Sequence, residues 1–269
     1  MRVPFVKMHG LGNDFVVLDA RRDPLMPITS DLARALADRR TGIGCDQLIL
    51  LEHSDVASFR MRIFNNDGSE VGACGNATRA VALLHGEPAT IETEGGILDA
   101  RPSDGGISVD MGSPRFGWDE IPLAYAMDTS SMPVAWEDLE HPMAVNVGNP
   151  HAIFFVEDAD AVDLDRLGPQ IEHDQIFPER VNVNVAQIVS RKAILLRVWE
   201  RGAGLTRACG TGACATAVAA MKKGLVDREV AVTLPGGTLT IAWGADNRII
   251  MTGPAAESFR GTFDPADFA

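Results

Sequence analysis

The sequence predicts an α/β chain of the α+β type, built from two similar strand-rich halves. Three observations lead there. First, segments recur in one order at nearly one spacing. Gly12-Asn13 matches Gly148-Asn149 at an offset of 136, and Arg62-Ile63-Phe64 matches Arg197-Val198-Trp199 at 135. Cys74 matches Cys209 at 135, and Met111-Gly112-Ser113-Pro114 matches Met251-Thr252-Gly253-Pro254 at 140. Second, each of those two cysteines opens an alanine-rich run of helical period, in VGACGNATRAVALLHGE (71–87) and RACGTGACATAVAAMKKGLV (207–226). Third, alternating apolar runs bounded by glycine turns surround both helical segments.

Taken in order, the first half begins with a Gly-Asn turn that leads into the strand FVVLD (15–19). SDLARALADRR (30–40) reads as a helix with Ser30 as its N-cap. FRMRIF (59–64) alternates as a half-buried strand. In helix 75–85, Ala77, Ala80, Val81 and Leu84 fall on one face, and Gly86 stands where the helix stops. Strands and tight turns follow over 89–112. The second half repeats the plan: strand AIFFV (152–156), strand ILLRVW (194–199), then helix 210–223 with Ala213, Thr216, Ala217, Ala220 and Met221 on one face. Lys222 and Lys223 suit its negative end, and Gly224 ends it. Pro235-Gly236-Gly237 marks a hairpin, and RIIMTG (248–253) a last strand. Such small helical side chains suit a helix closely enclosed by sheet. The crossing lies near 114–120, so the halves are 1–116 and 117–253, with the tail 254–269 expected to pack on the first.

A chain of 269 residues, 46% hydrophobic and 23% charged, has the composition of an ordinary globular protein. Its net charge of −13 argues against nucleic acid or an acidic membrane face as partner. No run of about 18 apolar residues exists, and MRVPFVKMHG lacks a signal-peptide core. A cytoplasmic protein is expected.

The four cysteines do not form a metal signature. No CxxC exists, and Cys209 and Cys214 stand five apart. Cys45 and Cys214 read as small buried hydrophobes. Cys74 and Cys209 differ because each sits at a helix mouth. The unpaired N–H groups and positive end of a helix favour a thiolate, so a depressed pKa is expected at both. The glycine after each leaves backbone N–H groups able to hold a carboxylate. Two such thiols on opposite faces of one carbon would invert it: one thiolate removes a proton while the other thiol delivers one.

The residues resemble the diaminopimelate epimerase family. The likeness runs in order through MHGLGNDFVVLD (8–19), GIGCDQLILLE (42–52), RIFNNDGSEVGACGNATRA (62–80), VGNPHAIFFV (147–156), RVNVN (180–184) and ERGAGLTRACGTGACATAVA (200–219). It implies two pseudo-symmetric domains, each a barrel-like sheet around a central helix, with the active site in the cleft between them. It implies interconversion of LL- and meso-2,6-diaminopimelate, for lysine and peptidoglycan precursors, without a cofactor or metal. By this resemblance Cys74 and Cys209 are the catalytic acid/base pair. Gly75-Asn76 and Gly210-Thr211 hold the carboxylate of the reacting carbon. Asn13, Gln47, Asn65, Asn149, Asn182, Glu200 and Arg201 contact substrate, and His151 stands near the cysteines and could tune them. A homodimer is also implied, although Phe263 stands where relatives often carry tyrosine near the dimer contact. CGNATRA departs slightly from the commoner CGNGARC.

Taken singly, several of these residues have plainer roles. Asn13 suits a left-handed turn, Asn65 a loop, and Glu200 with Arg201 a solvated ion pair. Competing functions are a proline or hydroxyproline racemase, a thiol redox sensor, and a non-catalytic amino-acid binder. Glu200-Arg201 favours a substrate with a second ionic end, and a binder needs no paired thiols. A pyridoxal enzyme is disfavoured by the four lysines: Lys192, Lys222 and Lys223 read as surface or helix-end residues, leaving Lys7.

Overall fold

The computed structural model describes residues 2–72 and 74–268. The chain divides into two compact units, Met1–Val109 with Thr252–Ala269, and Asp110–Met251.

In the first unit the strands run in a chain of pairings. Ala256–Phe263 lies antiparallel to Val3–Gly10, which pairs antiparallel with Asn13–Asp19. Asn13–Asp19 runs parallel to Gln47–Glu52, and that strand antiparallel to Phe59–Asn65. Phe59–Asn65 runs parallel to Ala89–Thr93, which turns back on Gly96–Ser103. The second unit uses the same order. Met143–Asn146 is antiparallel to Pro150–Val156, which runs parallel to Asn182–Ser190. Asn182–Ser190 is antiparallel to Ala193–Glu200, then comes a parallel Glu229–Leu234 and an antiparallel Gly237–Trp243. From Val3–Gly10 and from Met143–Asn146 onward the alternation of parallel and antiparallel steps is identical, so the repeat seen in sequence is a repeat of topology. Its hairpins also match: Glu94-Gly95 and Pro235-Gly236 each join strands across two residues.

Among the described residues each unit carries one peripheral and one central α-helix. The peripheral ones are α1 (Ser30–Ala37) and, in the second unit, α3 (Leu164–Glu172). The central ones are α2 (Gly75–His85) and α4 (Gly210–Lys222). In α2 every residue from Gly75 to Ala82 is buried, and in α4 all but Thr211 and Lys222. A helix buried on all sides must have strands around it. α2 lies against Val3–Gly10, Asn13–Asp19, Ala89–Thr93, Gly96–Ser103 and Ala256–Phe263, and α4 against six strands of its own unit. Alanine at Ala213, Ala215, Ala217, Ala219 and Ala220 lets those backbones close in. Gly86 ends α2 at φ 84°, a conformation that favours glycine.

Three elements differ from the sequence reading. Thr29, not Ser30, is the N-cap of α1: its hydroxyl accepts from Leu32 N–H at 3.2 Å. α1 also stops at Ala37 rather than at residue 40, because Asp38 is extended and its carboxylate turns to accept from Arg40 and Thr41 N–H. α3 was not expected; Gly168 and Pro169 hide its helical period, yet Gly168 allows the helix to sit directly on the Trp199 ring. No helix among the described residues is long and apolar enough to cross a membrane.

Candidate functional site

Each central helix begins immediately after a cysteine. Cys74 is the N-cap of α2, with extended backbone at φ −152°, and Cys209 is the N-cap of α4 at φ −121°. The N–H groups of each first turn are the ones an α-helix leaves without partners of its own. The first turn opens with Gly75 and Asn76 in the first unit, and with Gly210 and Thr211 in the second.

In the first unit Cys74 and Asn76 meet at Asn13. Its carboxamide oxygen accepts from Asn76 Nδ2 at 3.2 Å and faces the Cys74 sulfur at 3.8 Å. Its Nδ2 donates to Asp46 at 3.0 Å. Asp46 in turn accepts from the Asp14 N–H and is gripped by Arg39 at 2.6 Å, so the orientation of Asn13 is fixed from behind. Asn76 is held likewise: Arg79, a fully buried guanidinium one turn on, donates to its oxygen at 2.7 Å. Gln47 and Asn65 stand directly opposite each other on antiparallel strands, and Gln47 Nε2 donates to Asn65 Oδ1 at 3.0 Å. That leaves Gln47 Oε1. Among the described residues it is the one buried side-chain polar atom with no hydrogen-bond partner. A buried acceptor without a donor is costly to maintain and points to a ligand donor.

In the second unit Cys209 is 3% exposed. Gly212 N–H donates to its sulfur at 3.3 Å, and Thr211 Oγ1 lies 3.5 Å away. These bonds favour a thiolate, as the sequence reading expects. They do not prevail. Burial pushes the Cys209 pKa well up, and the negative charge of Glu200 pushes it further. Burial also raises the Glu200 pKa, against hydrogen bonds from Thr206 and from the Cys209 thiol. Cys209 is therefore a thiol at rest with a basic carboxylate beside it. This corrects the expectation of a depressed pKa at this helix mouth: desolvation outweighs the helix end.

Glu200 and Arg201 do not act as a solvated pair. Glu200 turns to Thr206 and Cys209, whereas Arg201 lies exposed with its guanidinium on the Glu179 carbonyl oxygen at 2.9 Å. Asn182 is buried; its oxygen accepts from Arg201 N–H at 2.9 Å and its Nδ2 donates to Pro150 O at 2.8 Å. Asn149 is half-buried beside His151, which is wholly buried and lies between Asn149 and Asn184. His151 reaches the Cys209 turn through Asn184, whose amide donates to Gly212 O.

Four supporting residues escaped the sequence reading: Asp46 behind Asn13, Arg79 behind Asn76, Thr206 on Glu200, and Asn184 behind His151. Asn184 had a signal, because RVNVN alternates and places a second asparagine on the same face of the strand as Asn182.

Comparison with known proteins shows the family and the fold. The diaminopimelate epimerase family model matches residues 5–117 and 143–257. A diaminopimelate epimerase of Erythrobacter litoralis is 70% identical over 269 residues, the whole of both chains. One of Rhizorhabdus wittichii is 65% identical over all of this chain and 98% of its own. Solved structures share the fold at low identity. A PhzF-family phenazine biosynthesis protein of Enterococcus faecalis superposes with a TM-score of 0.73 at 16% identity, covering 98% of this chain and 100% of that one. A hydroxyproline epimerase of Agrobacterium vitis gives 0.67 at 17%, covering 99% and 93%. With the family model spanning both repeats and relatives matching end to end, the chain belongs to the diaminopimelate epimerase family.

Proposed function

We propose that the chain interconverts LL-2,6-diaminopimelate and meso-2,6-diaminopimelate, with Cys74 and Cys209 exchanging the α-proton. The observation that carries this reading is the placement of a cysteine as N-cap of the central helix in both repeats. Inversion at a carbon by proton transfer needs one base and one acid, and a repeat of this kind supplies two equivalent groups. Cys209 starts as the thiol and delivers a proton in one direction. In the other, Glu200 relieves it of its proton so that the thiolate can abstract one. The carboxylate next to the reacting carbon is held by first-turn N–H groups at Gly75-Asn76 and Gly210-Thr211, where helix ends favour the charge that develops.

The remaining amides read the rest of the substrate. Gln47 Oε1 is an acceptor suited to an ammonium group, and the exposed Arg201 guanidinium to the far carboxylate. Asn13, Asn65, Asn149 and Asn182 complete a set able both to donate and to accept. No cofactor or metal enters this scheme. A cytoplasmic location and a homodimer belong to the same reading and rest on the family likeness; sedimentation analysis tests the second.

The test is a pair of single variants. Cys74→Ser and Cys209→Ser should each lose epimerisation by at least a hundredfold yet retain slow exchange of the α-hydrogen for deuterium in one stereoisomer, because one base remains. Epimerisation by both variants at the unaltered rate would overturn the two-thiol scheme.

A further inference from the structure

His151 offers two ring nitrogens, and each lies against an amide. Nδ1 is 3.1 Å from Asn184 Oδ1, and Nε2 is 3.0 Å from the Asn149 position assigned as Oδ1. Asn184 has no freedom to turn. Its Nδ2 donates to Gly212 O at 3.0 Å and to Thr216 Oγ1 at 2.9 Å, both on α4. Reversing the amide would set its oxygen against the Gly212 carbonyl oxygen. Asn184 therefore presents only an acceptor to the ring, and Nδ1 must carry the proton. A neutral imidazole has a single N–H, so Nε2 is then an acceptor. It requires a donor, so the Asn149 amide must be reversed, with its NH2 where Oδ1 is assigned; the two ends of a carboxamide are alike in shape and are told apart by such a network.

We propose that Asn184 is a positioning residue: it locks His151 as the Nδ1–H tautomer, and that tautomer turns Asn149 so that its carboxamide oxygen is left to accept from the substrate's ammonium group. The final step, to substrate, rests on the function proposed above; the tautomer and the amide orientation do not. A charged ring would undo the logic, because an imidazolium donates from both nitrogens. Burial, first, and the nearby Arg201 charge hold the ring pKa at about 4, against the hydrogen bond to Asn184, so the neutral ring prevails at pH 7. Arg201 is the charged group bearing on the ring, and its influence has the same sign as burial. The same Asn184 amide grips the carbonyl of Gly212, whose N–H donates to the Cys209 sulfur, so one residue links this relay to the thiol.

The experiment is long-range proton–nitrogen NMR of the substrate-free, full-length chain with nitrogen-15 histidine, His151 being assigned by the signal lost in His151→Gln. The expected spectrum at pH 7 shows a protonated Nδ1 and a bare Nε2. A proton on Nε2, or on both nitrogens, would overturn the proposal without any variant. Asn149→Asp can only accept, so it should draw a proton onto Nε2; an unchanged neutral Nδ1–H ring there would also overturn it. Asn184→Ala should release the tautomer lock and raise KM about tenfold or more with a smaller change in kcat. A released tautomer with unaltered KM would refute the step to substrate. Because the spectra are read without substrate, failure of the exchange assay for diaminopimelate leaves them intact, and the converse also holds.

Discussion

Glu172 ties α3 to the end of the strand that carries Glu200, and the strength of that tie can be worked out. The residue is 2% exposed. Its Oε2 accepts from Trp199 Nε1–H at 2.7 Å and its Oε1 from Gly202 N–H at 3.0 Å. Arg180 lies 3.7 Å away and is half in solvent, so water replaces this contact cheaply. Glu172→Gln keeps the volume but can accept at only one end. Its NH2 must face one of two N–H donors, which loses one charge-assisted bond and orphans one donor, at about 2 kcal/mol. Glu172→Ala loses both bonds and opens a cavity, about 4 kcal/mol or more. With a urea slope of about 2–3 kcal/mol/M, the midpoint should fall by about 0.7–1 M for glutamine and about twice that for alanine. Urea unfolding followed by far-UV circular dichroism measures both, with the exposed Gln170→Ala on the same helix staying within about 0.5 kcal/mol of the parent. A glutamine variant that unfolds at the parent midpoint, or an alanine variant no weaker than glutamine, would refute the reasoning.

Three further outcomes follow from the site. Glu200→Gln removes the charge that opposes the Cys209 thiolate, so alkylation of Cys209 in a Cys74→Ser background should move to lower pH, while epimerisation in the parent background falls about 10²–10⁴-fold for loss of the base; a profile that stays or moves up counts against the Glu200–Cys209 contact. Gly212→Ala would set a Cβ 3.2 Å from the Cys209 sulfur and 3.1 Å from Val198 Cγ2, so the thiol must shift and kcat should fall roughly tenfold to a hundredfold with unchanged circular dichroism. His151 has its folded pKa at about 4, below the unfolded 6.5, so the folded state binds fewer protons between them and stability rises with pH through that window. The contribution is complete above pH 6.5 and lost as pH falls to 4. It amounts to about 3 kcal/mol at 1.36 kcal/mol per pH unit, seen as the difference between the parent and His151→Gln; parallel pH curves would contradict it.

The repeat was legible because the two halves share cysteine, glycine and strand patterns at offsets of 135 to 140, and the strands follow the same order. The two central helices were legible from their alanine period and from Gly86 and Gly224. α3 was not, since Gly168 and Pro169 read as breakers and only the Trp199 ring explains the glycine. The protonation state of Cys209 was also out of reach. Its helix-mouth position shows in sequence, but the burial that overrides it depends on the sheet packed around α4 and on Glu200, nine residues earlier. Likewise Asn182 and Asn184 look alike in RVNVN. Register alone sends the first to Arg201 N–H and Pro150 O, and the second to His151 and α4.

The most direct measurement is proton NMR of the reduced protein with LL-diaminopimelate in deuterated water. Meso product carrying deuterium at the inverted α-carbon is the expected result. Product formed without deuterium at that carbon, or no exchange by folded protein with both thiols reduced, would contradict inversion by the paired thiols.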